Sequence, residues 1–194
     1  MKKISTSTLS SIKYNRNNPE KLKEIIYGGK FETSKEAQMG IDFEQDLAIM
    51  NGNCDIIRTI PDDIWYPNKV KMYECIKGCE WQKKIEKVIT FDNEEWLLKG
   101  FIDFYKPGTI FDIKTTKKYI PNEMKFLMST QHLIYFECTG ESLFRYLINS
   151  WDNPKNIYEE VYKRKENNLD RIIFNIRVCR NILLENGLDF LDIK

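Results

Sequence analysis

The sequence predicts an α/β fold in which a central mixed β-sheet is flanked by helices, and three observations lead there. Residues 85–115 have strand texture broken by two turn signals, helical periodicity lies on both sides of them, and two further strands precede the last helix. The 194 residues, 42% hydrophobic, suffice for one domain with a real core and are few for two. A single domain over 1–194 is therefore expected, with an N-terminal helical part (1–60), a sheet-and-helix part (84–165) and a C-terminal helix (167–187).

In order along the chain, Leu22, Ile25 and Ile26 have helical spacing, and Gly28-Gly29 breaks the pattern. A second helix is expected over 34–51, capped by Thr33 or Ser34. The stretch 61–83, with Pro61 and Pro67, reads as irregular or short-helical. Three strands then form a meander: 85–91, 96–105 after an Asp92-Asn93 turn, and 109–115 after Pro107-Gly108. A helix over 121–138 starts at Pro121 and stops at Thr139-Gly140. Strands at 143–151 and 157–165 flank the turn Asp152-Asn153-Pro154, and an amphipathic helix at 169–184 ends before Gly187.

Thirty Lys and Arg against 29 Asp and Glu give a net charge of +1, so any polyanion site is a local patch. The start, Met1-Lys-Lys-Ile-Ser-Thr-Ser-Thr-Leu9, turns polar at once, unlike a secretory signal, and no run reaches membrane-spanning length. The five cysteines, Cys54, Cys75, Cys79, Cys138 and Cys179, are odd in number and scattered, which suits reduced thiols in a cytoplasm.

Chemistry concentrates in Gly100-Phe-Ile-Asp103 and Asp112-Ile-Lys114, where charged residues interrupt strands that should be buried. Asp112 and Lys114 project from one strand face and Phe111 and Ile113 from the other. The tight Lys106-Pro-Gly108 connection brings Asp103 beside them if the strands are antiparallel neighbours. Two carboxylates suit a hard cation such as magnesium, which polarises a phosphate and activates water; a lysine beside them orients that water and balances phosphate charge. The same alternation also suits a solvated Asp/Lys face of a surface hairpin. The acid-x-lysine pattern recurs in Glu123-Met-Lys125 and Asp192-Ile-Lys194, but only Asp112-Ile-Lys114 has strand character and a partner strand. On the following helix Gln131 and Tyr135, four apart, share a face that can meet a phosphate or a base.

Gly-Phe-Ile-Asp103, Asp112-Ile-Lys114-Thr-Thr and Gln131-x-x-x-Tyr135, in this order and spacing, resemble the RecB-like, phage-exonuclease branch of the PD-(D/E)XK nuclease superfamily. The resemblance covers about 94–135 well and the rest loosely. It implies a restriction-endonuclease-like core and a DNA phosphodiesterase using Mg2+ or Mn2+, an exonuclease of recombination, repair or phage DNA processing in a bacterial or phage-infected cell. It further implies Asp103, Asp112, the Ile113 carbonyl and a helical acid as metal ligands, Lys114 assisting the water, and Gln131 and Tyr135 positioning substrate. Glu44, in Gly40-Ile-Asp-Phe-Glu44, matches that acid; Asp42 and Glu36 compete.

Two features depart from the family. The histidine that some relatives place before the helical glutamate is absent, and the sole histidine, His132, lies inside the Gln-Tyr motif, where packing is expected. Only Cys138 and Cys179 follow the core, so no iron–sulfur cluster is expected, and Cys75-x-x-x-Cys79 lacks zinc-knuckle spacing. For substrate grip, Lys117, Lys118 and Lys125 cluster with Tyr119 near the site, Lys163, Arg164 and Lys165 follow later, and Asn122 and Trp151 are candidates for base or sugar contact. Expected partners are DNA and, through the resemblance, a recombination or single-strand-annealing protein or further copies of the chain. Two other readings stay open: a catalytically silent nucleic-acid- or protein-binding module on the same fold, and a regulatory protein that binds metal through its cysteines.

Overall fold

The computed structural model describes residues 2–29, 33–52, 64–121, 126 and 129–190. The chain opens with a strand, β1 (Lys2–Ser5), where the sequence pointed only to helix. Four residues are too few to reveal a period: Ile4 is buried and Lys3 exposed, while Lys2 is covered and ion-paired to Glu94 at 2.8 Å. Ser5 ends the strand and caps α1 (Thr6–Tyr14), its hydroxyl accepting from the Thr8 N–H at 3.1 Å. Asn18 caps α2 (Pro19–Tyr27), which Gly28 stops in the left-handed region (φ +79°). Of the two candidate caps for α3 (Lys35–Met50), Ser34 does the work.

The stretch read as irregular or short-helical contains the helix α4 (Tyr66–Ile76), which starts without a side-chain cap; Cys54 and Pro61 lie outside the described residues. Next come β2 (Glu80–Phe91), β3 (Glu94–Lys106) and β4 (Thr109–Thr116), the expected meander, with β2 starting earlier because its first residues are mostly polar. The helix expected over 121–138 is instead described as α5 (Gln131–Thr139): Pro121 lies in a turn, the chain bends at Thr130, and the Ser129 hydroxyl accepts the Gln131 N–H at 3.2 Å. Residues 122–125 and 127–128, including Asn122 and Lys125, lie outside the described residues. β5 (Leu143–Ser150), β6 (Ile157–Lys163) and α6 (Asn168–Glu185) complete the chain.

All six strands form one mixed sheet. β2–β3, β3–β4 and β5–β6 are antiparallel, while β1–β3 and β4–β5 are parallel. The β4–β5 pairing requires a crossover, and α5 supplies it. The larger core, including Trp96, Ile102, Tyr135, Phe144 and Ile176, lies between one sheet face and α1, α2, α5 and α6. The smaller core packs Phe43, Leu47, Met72 and Ile76 of α3 and α4 against Phe104, Phe111 and Ile113. β2 and β3 change faces together: the register pair Trp81 and Phe104 joins the smaller core, while Ile85 and Ile102 join the larger. At the switch Gln82 adopts φ +53° and the Gln82–Asp103 pair is missing from the ladder.

Candidate active site

β2 runs along one edge of β3, so β1 and β4 share the other. β1 takes 96–99 and β4 takes 104–106, leaving 100–103 without a strand neighbour on that edge. The β3–β4 ladder stops at Phe104↔Phe111, and its next pair would be Asp103 with Asp112. There the strands part, and Asp103 Oδ2 accepts the Ile113 N–H at 2.8 Å. Ile110 faces the larger core while Phe111 and Ile113 face the smaller one, so Asp112 and Lys114 share the face that α5 covers.

α5 braces this opening. The Gln131 amide donates to Asp112 Oδ1 and, at 3.1 Å, to the Tyr135 hydroxyl, which itself donates to the Phe101 carbonyl. Tyr135 is only 2% exposed, so in this arrangement it and Gln131 hold protein groups. Gly100 makes room for the brace: a Cβ there would stand 2.9 Å from Tyr135 Cε1. The Gly-x-x-Asp spacing thus has a steric reason one strand residue at a time.

Asp112 is fully buried (0% exposed), and its Oδ2 receives no well-formed hydrogen bond; Lys114 ion-pairs with it. The Lys114 side chain keeps 36% of its surface. Burial, then the Asp112 and Glu44 charges, push the Asp103 carboxyl well above the usual carboxylate range, against Lys114 and the Ile113 N–H. Burial also raises Asp112, with Lys114 opposing it. Burial works against the Lys114 ammonium too, but the two aspartates outweigh it and raise its pKa.

Glu44 enters from α3, on the other side of β4. Its approach depends on Gly40, where a Cβ would meet Thr115 Oγ1 at 2.7 Å, which gives the Gly-x-x-x-Glu pattern a physical basis. Its Oε1 accepts from the Trp81 indole (3.2 Å) and the Gln82 amide (2.6 Å). Glu36 is exposed in the first turn of α3, and Asp42 accepts from Gln38 at 2.9 Å. Among the described residues no three His, Cys, Asp or Glu side chains already converge as a metal cluster. The residues nevertheless suit a divalent cation: two neighbouring acids whose pKa values burial raises, Asp103 further by the Asp112 and Glu44 charges and Asp112 further by Glu44, are what a cation relieves.

Beyond β4, Lys117 and Lys118 are exposed, as are Lys163 and Lys165; Arg164 is tied to Glu137 at 3.2 Å. Tyr119 is held by Glu160 (3.0 Å), and Trp151 packs edge-on against Trp65 with centroids 4.8 Å apart, so both are partly engaged internally. His132 is 2% exposed and stacks on Tyr162 at 4.5 Å, as a packing residue does. Cys75, Cys79, Cys138 and Cys179 form no disulfide among the described residues.

The sequence reading missed a cavity of about 260 Å³ beside Lys114 and Gln131, lined also by Ser10, Thr115, Ser129 and Tyr146. Tyr146 stands opposite Asp112 in the parallel β4–β5 register. A second cavity, about 590 Å³, lies against Ser5, Ser7, Lys84, Lys99, Phe101 and Tyr135.

No protein-family model matches the chain, and no curated protein matches its sequence. Solved structures do. A phage related exonuclease from Haemophilus somnus 129PT superposes with a TM-score of 0.55 at 13% identity, over 93% of this chain and 92% of that one. The alkaline exonuclease LHK-Exo from Laribacter hongkongensis gives 0.51 at 12% identity, over 95% and 90%, and its complex with dAMP also gives 0.51. The chain therefore has the fold of phage-type exonucleases, the fold that the PD-(D/E)XK resemblance implied.

Proposed function

We propose that the protein is a metal-dependent deoxyribonuclease that hydrolyses DNA phosphodiester bonds, acting as an exonuclease in recombination, repair or phage DNA processing. The observation that carries this reading is the meeting of Asp103 and Asp112 where the β3–β4 ladder ends, with Lys114 on the same face. The fold of known exonucleases supports it, and DNA as substrate rests on that likeness.

When bound, Mg2+ or Mn2+ supplies positive charge for the phosphate and acidifies the attacking water. Asp103 and Asp112 would hold the ion, with the Ile113 carbonyl and Glu44 as further ligands. Lys114, which ion-pairs with Asp112, would orient the water and balance the phosphate. Gln131 fixes Asp112 from α5 and, with Tyr135 behind it, sets the wall of the cavity that receives substrate. Lys117 and Lys118 meet flanking phosphates.

The test is cleavage of linear and closed-circular DNA with magnesium, manganese or EDTA, comparing wild type with Asp112→Ala and Lys114→Ala. Metal-dependent cleavage lost in both variants supports the site, and sparing of circles supports an exonuclease. A wild-type protein that binds DNA or a protein yet cuts no linear, circular or single-stranded substrate would make it a silent module.

A further inference from the structure

We propose that the outer face of α1 is a track for one nucleic-acid strand, leading from the cavities beside the reaction centre to an aromatic platform formed by Tyr14 and Phe174. The proposal extends the nuclease reading by saying how the strand lies outside the site.

The track begins at the two cavities. Thr6 and Ser7 line the larger, with Lys99 and the Lys84–Glu86 pair, and Ser10 lines the smaller beside Lys114. Lys99 has no ion-pair partner among the described residues. Along α1, Leu9 and Ile12 are buried, whereas Ser7, Ser10 and Tyr14 are exposed. Their i, i+3, i+7 spacing puts them on one face, and Ser7 to Tyr14 spans about 10 Å of helix.

Charge favours a polyanion along this face. Residues 1–19 hold Lys2, Lys3, Lys13 and Arg16 and no Asp or Glu, in a chain whose charges otherwise nearly cancel. Lys2 is used by Glu94, but Lys3 and Arg16 are exposed, and the Lys13 ammonium donates to the neutral Asn175 side chain.

The far end is aromatic. Tyr14 is 89% exposed and Phe174 66%. α1 and α6 run antiparallel, since Lys13 meets Asn175 and the Cys179 thiol donates to the Leu9 carbonyl, so Tyr14 and Phe174 stand at one level. Asp170 and Arg171 lie within a turn of Phe174 and offset each other. Exposed rings beside an acid-free helix flanked by Lys3 and Arg16 suit stacked bases of a single strand, because paired bases do not present their faces.

The test is fluorescence anisotropy of the full chain in EDTA with a labelled single-stranded DNA of about 16 nucleotides. Alongside it, hydrolysis of a dinucleotide with magnesium reports on the centre alone. Tyr14→Ala should weaken binding of the long strand roughly 10-fold, Phe174→Ala less, and Tyr14→Phe hardly at all, with dinucleotide hydrolysis unchanged. Unchanged affinity in the Tyr14→Ala/Phe174→Ala double variant overturns the track, as does equally tight binding of a duplex of that length. A wild type that cuts nothing while Tyr14→Ala loses affinity defeats the nuclease reading and leaves the track standing. Intact cleavage with unaltered affinity does the reverse.

Discussion

β2 stays paired with β3 over eleven positions and closes through Asp92 and Asn93, both at positive φ, whereas β4 leaves β3 after three. The long ladder satisfies its backbone groups within the sheet and packs Trp96 and Ile102 beneath it. In the short one, side chains take over: the Asp103 carboxylate serves the Ile113 N–H and the Tyr135 hydroxyl serves the Phe101 carbonyl. What the short hairpin gives up in pairing it uses to bring two acids together at a cost in stability. One strand thus carries a scaffold half and a half that bears the candidate site.

Asp112→Ala should reduce metal-dependent cleavage on the order of 10³-fold. Asp103→Asn should be comparably inactive yet more heat-stable in EDTA at neutral pH. The folded pKa of Asp103 lies above its unfolded value, so its ionised form opposes folding as pH rises past the ordinary carboxylate range. A lower melting temperature for Asp103→Asn would erase the contrast between the halves. In the scaffold half, Trp96→Ala should cost about 3–5 kcal/mol in urea unfolding, through the cavity it leaves.

His132, next to Gln131 on α5, tests the brace through pH. Burial first, then the charge of Arg171, lowers its pKa to about 4 from 6.5, and Phe136, Phe144 and Tyr162 also surround it. Between those values the unfolded chain holds the proton and the folded one does not. Stability should therefore fall as pH drops through that window, by up to about 3 kcal/mol, and His132→Phe should flatten this part of the profile. Gly100→Ala should push Tyr135 off the Phe101 carbonyl and cost about 1–3 kcal/mol with reduced cleavage, read by melting and assay together. The smallest effect is expected for Lys117→Ala and Lys118→Ala: DNA affinity down a few-fold, and a salt dependence shallower by about one unit of slope each.

The candidate site was legible because its grammar is local: alternation through β4, a Pro-Gly turn and charged residues at buried positions mark Asp103, Asp112 and Lys114 as candidates without knowledge of the rest. Glu44 was legible as a pattern, but the reason for its Gly40 lies in Thr115, seventy-odd residues away, and no local signal carries that. β1 was invisible because four residues show no period, and α4 was legible only as one of two alternatives because it lacks a capping side chain. The break before α5 was hidden because Ser129 and Thr130 sit within an otherwise helical pattern. Ser10 and Tyr146 were missed because their place beside Lys114 is a matter of packing between elements far apart in the chain.

The shared edge of β3 also sets an order of assembly. β2 and β3 are joined by a two-residue turn, and such hairpins close within microseconds. β1 meets β3 across a separation of 92 residues in the Lys2–Glu94 bond, and β5 can dock on β4 only after the crossover has formed. Contacts at that range wait on loop closure and come late. Of the two strands that bound the opening at 100–103, β4 reaches β3 early through its own two-residue turn and β1 arrives late, so the folding chain has most of its sheet before that opening is closed in.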